Sequence, residues 1–248
     1  MVAKRVAIVT GSGSGLGAAT SIVLAKRGLT IVATDIDGDA AERVAAQIRG
    51  SGGEAHAAAL DVADERGVQN LVSKVVRENT RVDVLANSAG IAGPGGKPSH
   101  ELLAADFEKT LAVNLFGSIH LTNAVMPHMI AAGYGRIVHV ASIAGKEGNP
   151  NMAPYNTSKA GMIGFVKGVA KEVARHGVTV NAVAPAVIRS PMNEAVPDDT
   201  LRYMLEKIPI GRLGEPEEVA ELIAFITSAE CSFTTGFVFD ASGGRATY

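Results

Sequence analysis

Tyr155 and Lys159 stand four residues apart in the run Tyr155-Asn156-Thr157-Ser158-Lys159. On a helix that interval puts phenol and ammonium on one face, one turn apart. A cation held there favours phenolate over phenol and draws the tyrosine's pKa down toward working pH. Such a group can take a proton from an alcohol or give one to a carbonyl. The same spacing also suits a half-buried ring and a solvated amine. Chemistry therefore requires a cofactor, a group that polarises the oxygen, and a pocket.

The cofactor is foreshadowed near the N-terminus. Val6–Thr10 has the apolar run of a strand buried on both faces, and it stops at Gly11-Ser12-Gly13-Ser14-Gly15-Leu16-Gly17. Helical periodicity then carries Ala18 to Gly28. The glycines allow a sharp turn and a close approach by a pyrophosphate, for which a helix N-terminus supplies N–H donors. A flexible Gly/Ser loop has the same composition, but the place between strand and helix favours the cofactor. Thr30–Asp35 reads as a second strand ending in a carboxylate, 18 residues past Gly17. An acid there meets adenosine ribose hydroxyls and repels a 2′-phosphate, which favours NAD over NADP. Asp35 or Asp37 could equally cap the next helix.

The bulk composition sets limits. The chain has 248 residues, 47% hydrophobic, 19% charged and 4% aromatic, with a formal net charge of -2. That balance gives no electrostatic case for nucleic acid or an anionic membrane, and too few rings for base stacking. Cys231 is the only cysteine, so no intrachain disulfide and no thiolate zinc site can form. No metal is expected. No apolar run reaches membrane-spanning length and no leader-like segment opens the chain, so the expectation is a cytoplasmic protein.

Further elements alternate regularly. Helices are expected over Ala40–Gly50, Asp64–Asn79 (Asp64 as N-cap), Leu102–Ala132, Tyr155–His176 and Leu201–Lys207, with another opening at Pro216. Strands are expected at Ala55–Leu60, Val82–Ala86, Gly135–Ser142, Val178–Ala184 and Gly236–Asp240. This is an α/β pattern, a parallel sheet with helices on both faces. Small residues Asn87-Ser88-Ala89-Gly90 leave the fourth strand and would let a cofactor lie close. Asn114 sits in an apolar helical stretch, either as a core amide on a backbone carbonyl or at a distortion holding a water. Ser142 ends the fifth strand at the carboxyl edge of the sheet, where it can hydrogen-bond a substrate oxygen. His139 falls mid-strand and is read as packing. The segment Ile143–Ala153 forms one wall of a pocket, and residues 186–212 a substrate lid.

Together these residues resemble the short-chain dehydrogenase/reductase family over essentially the whole chain. The family's Thr-Gly-x-x-x-Gly-x-Gly is met by Thr10, Gly11, Gly15 and Gly17, with Ser14 and Leu16 inside it. The resemblance implies a single-domain Rossmann fold with seven strands in the order 3-2-1-4-5-6-7. A cofactor half lies near 1–135 and a catalytic and substrate half near 136–248. It implies a catalytic set of Asn114, Ser142, Tyr155 and Lys159, with Asn114 positioning a water. It implies adenine contacts from Asp61 and Val62. Further cofactor contacts follow from Ile36, Asn87, Ala89, Gly90, Pro185, Val187, Ile188 and Ser190, besides Tyr155 and Lys159 at the nicotinamide ribose. Two positions depart from the pattern: Ser88 replaces an Asn, and Ala186 follows Pro185 where Gly is usual.

Within that family, Ile143–Asn151 and the ending Ser242–Tyr248 resemble the branch oxidising 2-keto-3-deoxy sugar acids of the rhamnonate or fuconate type. Ser142, Tyr155 and the polar Lys146, Glu147 and Asn149 would then face a polyhydroxylated ligand. Lys146, Arg189 and Arg245 are candidates for its carboxylate, or else solvated surface charges. Arg245 and Tyr248 suggest a tail that completes a neighbouring active site in a homotetramer. The alternatives are a 3-oxoacyl reductase, a polyol or sugar dehydrogenase, and a non-catalytic dinucleotide-binding protein.

Overall fold

The computed structural model describes residues 4–190 and 198–248, without the side chains of 198–200. Seven strands, β1 Val6–Thr10, β2 Thr30–Asp35, β3 Glu54–Ala59, β4 Val84–Asn87, β5 Gly135–Val140, β6 Val178–Pro185 and β7 Val238–Ala241, form one parallel sheet. Its order is β3-β2-β1-β4-β5-β6-β7, as expected. The chain runs outward from β1 to β3, then returns to lay β4 beside β1. That reversal opens a crevice at the carboxyl ends of β1 and β4.

Among the described residues, nine α-helices cover the faces: α1 Gly15–Lys26, α2 Gly38–Gly50, α3 Glu65–Asn79, α4 Ala104–Leu111, α5 Gly117–Ala132, α6 Ile143–Glu147, α7 Ala153–Val173, α8 Asp198–Glu206 and α9 Pro216–Ile226. Strand alternation divides the apolar residues between two cores. Val6 and Ile8 join α3, α5 and α7 on one side, while Ala7 and Val9 join α1, α2 and α9 on the other. At about 1.5–3 kcal/mol for each large apolar side chain removed from water, these cores hold the sheet edge rigid.

Several boundaries differ from the sequence reading. Helix α1 begins at Gly15, so the end of the glycine turn is already its first turn. The stretch expected as one helix over Leu102–Ala132 is interrupted by a π turn at Ala112–Phe116, centred on Asn114. Strand β4 starts at Val84 because the Asp83 carboxylate turns to accept the Val6 amide at 2.8 Å. Strand β5 stops at Val140; Ser142 lies beyond it and caps α6, at the start of what was expected as a loop. Of the expected lid, 191–197 lie outside the described residues, and α8 spans Asp198–Glu206 rather than Leu201–Lys207.

Candidate active site

The carboxyl ends of β1, β2, β4, β5 and β6 enclose a cleft of about 540 Å³. The glycine turn, Asp35, Ile36, Asp61, Val62, Ala89, Gly90, Ser142, Tyr155, Lys159, Pro185, Ile188 and Ser190 all line it. The floor depends on close backbone approach. A Cβ on Gly17 would lie 2.0 Å from the Gly11 carbonyl oxygen, so α1 can meet the turn only with hydrogen at that position. Ser14 occupies the N-cap of α1 without a side-chain cap bond, and the first turn has no acidic residue. The N–H groups there are left for a ligand in the cleft. Asp35 does not cap α2; Asp37 does, accepting the Ala40 amide at 3.0 Å. Asp35 is instead aimed by two amides, those of Gly13 at 2.9 Å and Asp37 at 3.0 Å. An uncapped helix start, a floor closed to side chains and an oriented carboxylate fit a dinucleotide lacking a 2′-phosphate.

At the β5 side stand the proton-handling groups. Tyr155 lies in the first turn of α7, where Pro154 is tolerated because its missing N–H would have no intrahelical partner. Lys159 follows one turn on, 4% exposed, with Nζ 5.6 Å from the tyrosine ring centroid. Its ammonium donates to the Val140 carbonyl at 2.7 Å. The sequence predicted that this cation would draw the phenol's pKa down. In the structure, burial pushes the Tyr155 pKa up, and the Ser142 hydroxyl, hydrogen-bonded to the phenol, is what pulls it back. The reason is position: the ammonium lies by the ring, and the same enclosure lowers Lys159 from 10.5 to about 8.

Asn114 stands behind this group. Its side chain clamps Ile91, accepting that residue's N–H and donating to its carbonyl, each at 2.9 Å, and donates to Ser158 Oγ at 3.0 Å. Both readings of Asn114 thus meet in one residue: it is a core amide on backbone, and it lies in a distorted turn. Both its N–H donors are committed, so any water it holds must use oxygen lone pairs.

Asn87 turns away from the cleft. Thr10, Asn87 and His139 are register neighbours on β1, β4 and β5. The Asn87 oxygen accepts from Thr10 Oγ1 at 2.6 Å, and its amide donates to Ser118 Oγ at 2.9 Å and faces His139 Nδ1 at 3.1 Å. The imidazole therefore accepts at Nδ1 and donates from Nε2 to Thr122 Oγ1 at 2.9 Å. Burial, and secondarily the Lys159 charge, hold His139 down at about 3, so it remains neutral. Asn87 is a strut under the Ala89 segment rather than a cleft-lining side chain. Val187 also faces elsewhere, into a smaller cavity near Ile208 and α9.

The expected substrate residues divide. Ser142 and Tyr155 face the cleft. Lys146 instead pairs with Asp240 at 3.0 Å, and its side chain is 7% exposed. Arg245 binds Glu147 at 2.9 Å and Asn149 at 2.8 Å, with its side chain 4% exposed. Tyr248 donates to the Lys146 carbonyl at 3.0 Å. These six residues, Asp240 included, hold one another within one chain. Arg189 pairs with Glu215 at 3.2 Å but remains 67% exposed, next to cleft-lining Ser190. Cleft residues that the sequence reading did not select include Leu60, Ile91, Lys109 and Val113. The i, i+4 spacing of Lys109 and Val113, just before Asn114, is the one signal that could have found that pair. Among the described residues, no three His, Cys, Asp or Glu cluster as metal ligands, and no helix is long and apolar enough to cross a membrane.

Comparison with known proteins gives concordant matches. The family model described as short chain dehydrogenase matches residues 5–201. The 2-dehydro-3-deoxy-L-rhamnonate dehydrogenase (NAD(+)) of Sphingomonas sp. (strain SKA58) is 43% identical, over 99% of this chain and 97% of its own. The 3-oxoacyl-[acyl-carrier-protein] reductase FabG of Thermotoga maritima is 39% identical, over 97% of each chain. The crystal structure of gox2181 superposes with a TM-score of 0.94 at 31% identity, covering 98% of this chain and 96% of that one.

Proposed function

The chain belongs to the short chain dehydrogenase family, and on that premise we propose that it is an NAD-dependent oxidoreductase interconverting a secondary alcohol and a ketone on a 2-keto-3-deoxy sugar acid. The observation that carries this reading is one cleft with an uncapped helix start and Asp35 at one end and Ser142, Tyr155 and Lys159 at the other.

Bound NAD would supply the hydride acceptor. The α1 amides, Asp35 and the Asp61–Val62 edge would hold it. Ser142 orients the substrate oxygen and stabilises charge developing there. Tyr155 takes the alcohol proton during oxidation or returns it during reduction. Lys159, charged below about 8, stands beside the Tyr155 ring and would hold the nicotinamide ribose of bound NAD. Asn114 fixes the turn behind Lys159 and offers the remaining lone pair of its side-chain oxygen to a water in the proton path. Of three candidate cations for the substrate carboxylate, Lys146 and Arg245 are enclosed in ion pairs, so the reading assigns Arg189. An exposed pair such as Arg189–Glu215 exchanges partners at little cost.

The relative named as a rhamnonate-derivative dehydrogenase (NAD(+)) supports the substrate class, and Asp35 disfavours an NADPH-linked acyl reductase. The reading includes a cytoplasmic homotetramer, checked by fractionation and size-exclusion chromatography. Whether a tail also completes a neighbour's site is checked by mixing tail-truncated and Tyr155→Phe subunits and looking for restored turnover. The deciding experiment is NADH absorbance with sugar acids, polyols and 3-oxoacyl thioesters, using both cofactors. Turnover on a sugar acid with NAD is expected. Preference for a thioester with NADPH would overturn the substrate assignment, and no turnover with any of them would leave a dinucleotide-binding protein.

A further inference from the structure

We infer that the C-terminal segment is a positioning clamp for Ser142, acting through α6 of its own chain. The inference rests on the dehydrogenase reading above. A helix as short as α6, five residues, does not hold itself in water. It leans on α7 at Gly145, where a Cβ would lie 2.7 Å from the Lys159 carbonyl carbon. Its outer side is held by the end of β7 and the tail that follows it: Lys146 by Asp240 of β7, Glu147 by Arg245, and the Lys146 carbonyl by the Tyr248 hydroxyl. The tail is itself folded before it meets α6. Asp240 accepts the Ser242 amide at 2.9 Å, and Ser242 Oγ accepts the Ala246 amide at 3.0 Å.

Ser142 is the N-cap residue of α6, and its Oγ accepts the Ala144 amide at 3.1 Å. Any shift of α6 therefore moves the hydroxyl that meets Tyr155. Neither Glu147 nor Arg245 lines the cleft, so an effect on rate must travel through α6, by way of its N-cap Ser142 or its Gly145 contact with Lys159. Removing one partner of an enclosed pair leaves the other charge uncompensated, which forces α6 or the tail to move.

The test compares Arg245→Gln, Glu147→Gln and the double variant with wild type. Expected is a fall in kcat of about tenfold, short of the roughly hundredfold that a full 1 Å misplacement brings. The NAD KM and the NADH Kd should stay put, because the α1 cradle is untouched. The double variant should be no worse than either single one, since both remove the same contact. Oxidation needs the phenol deprotonated, so losing the Ser142 bond that lowers the Tyr155 pKa should carry the rising limb of the kcat–pH profile to higher pH. The groups facing Tyr155 are Ser142 and Lys159; His139, behind them on β5, stays neutral. Arg245→Lys should restore most of the rate. Hydrogen exchange at the Ala144 and Gly145 amides reads the clamp without any substrate: exchange should quicken in Arg245→Gln. Wild-type exchange there would overturn the clamp whatever the enzyme acts on, whereas an inactive wild type with quickened exchange in the variant would overturn only the dehydrogenase reading. Should Arg245→Gln fail to fold, Tyr248→Phe removes a single hydrogen bond; unchanged exchange and kcat in that variant would equally overturn the proposal.

Discussion

The glycine turn lines the cleft, the α6–tail wall stands behind Ser142 outside that lining, and the two are built on opposite plans. At the turn, backbone makes the site: uncapped amides of α1, a Gly17 approach that excludes any side chain, and one carboxylate aimed by two amides. At the wall, charged side chains meet each other before they meet solvent: Lys146 with Asp240, Arg245 with Glu147. The turn offers unpaired donors to a ligand that is constant in chemistry. The wall consumes its charges to fix a shape. Where polar groups are left open, binding is read from the residues that hold them. Where they are closed on one another, they act through position.

Tyr155 tests the border between these plans, and its loss should have the largest effect. Tyr155→Phe keeps the ring and removes the proton, so kcat should fall about a thousandfold, within the usual range for a positioned acid–base group. NADH titration should show a Kd raised by no more than about fivefold, the worth of one neutral hydrogen bond at the ribose. Turnover at the wild-type rate would detach the phenol from the chemistry.

Lys159 sharpens the comparison, being, among the described residues, the one cation that faces the cleft from an almost wholly buried side chain. Its pKa in the fold, about 8, lies below its ordinary 10.5, so the fold disfavours the charged form. Between those values the unfolded chain binds the proton more, and stability rises with pH through that window; below about 8 the deficit is constant. The shift corresponds to a deficit on the order of 3 kcal/mol, offset by about 1 kcal/mol for the bond to the Val140 carbonyl. Lys159→Met should therefore melt higher than wild type at pH 7, with most of the turnover gone and the gain fading above pH 10. A variant that melts lower at pH 7 would mean that the bond to Val140 outweighs the buried charge.

Asp35 tests the open plan directly. Asp35→Ala should raise the ratio of NADP to NAD efficiency by about a hundredfold, the factor for removing roughly 3 kcal/mol of like-charge repulsion at a 2′-phosphate. The Gly13 and Asp37 amides it frees would then face the added phosphate. Steady-state kinetics with both cofactors measure the ratio, and an unmoved ratio would assign the preference to another residue.

What was legible in the sequence follows the same division. Strand, glycine turn, helix and terminal acid are local patterns, and Asp64 caps α3 as expected because a cap depends only on its own first turn. The break at Asn114 was foreseeable as a polar residue in an apolar helix. Pairings across 94 or 98 positions, Lys146 to Asp240 and Glu147 to Arg245, were not, because nothing local distinguishes a charge with a distant partner from a solvated one. The direction of the Asn87 side chain was not legible for a related reason. On a strand buried on both faces, a period of two does not tell which face meets the ligand, and the register with Thr10 and His139 decided it.

Arg189 is where the two plans can be separated by the smallest effect. It pairs with an acid, like Lys146 and Arg245, but in solvent, with 67% of its side chain exposed and 41% of Glu215's. A pair of that kind contributes about 0.2–1 kcal/mol, whereas a charge-assisted bond to a substrate carboxylate contributes about 1.5–3 kcal/mol. Exchange of Glu215 for a sugar-acid carboxylate is thus favourable by about a tenfold factor in binding. Arg189→Gln should raise the KM for the sugar acid about tenfold, with kcat held, and leave the melting temperature within about 2 °C, as expected for a surface substitution. The same substitution should leave an uncharged polyol unaffected, which distinguishes carboxylate recognition from a disturbed lid. An unchanged sugar-acid KM would place Arg189 among the closed pairs with Lys146 and Arg245, and would leave substrate recognition to Ser142, Tyr155 and the rest of the cleft lining.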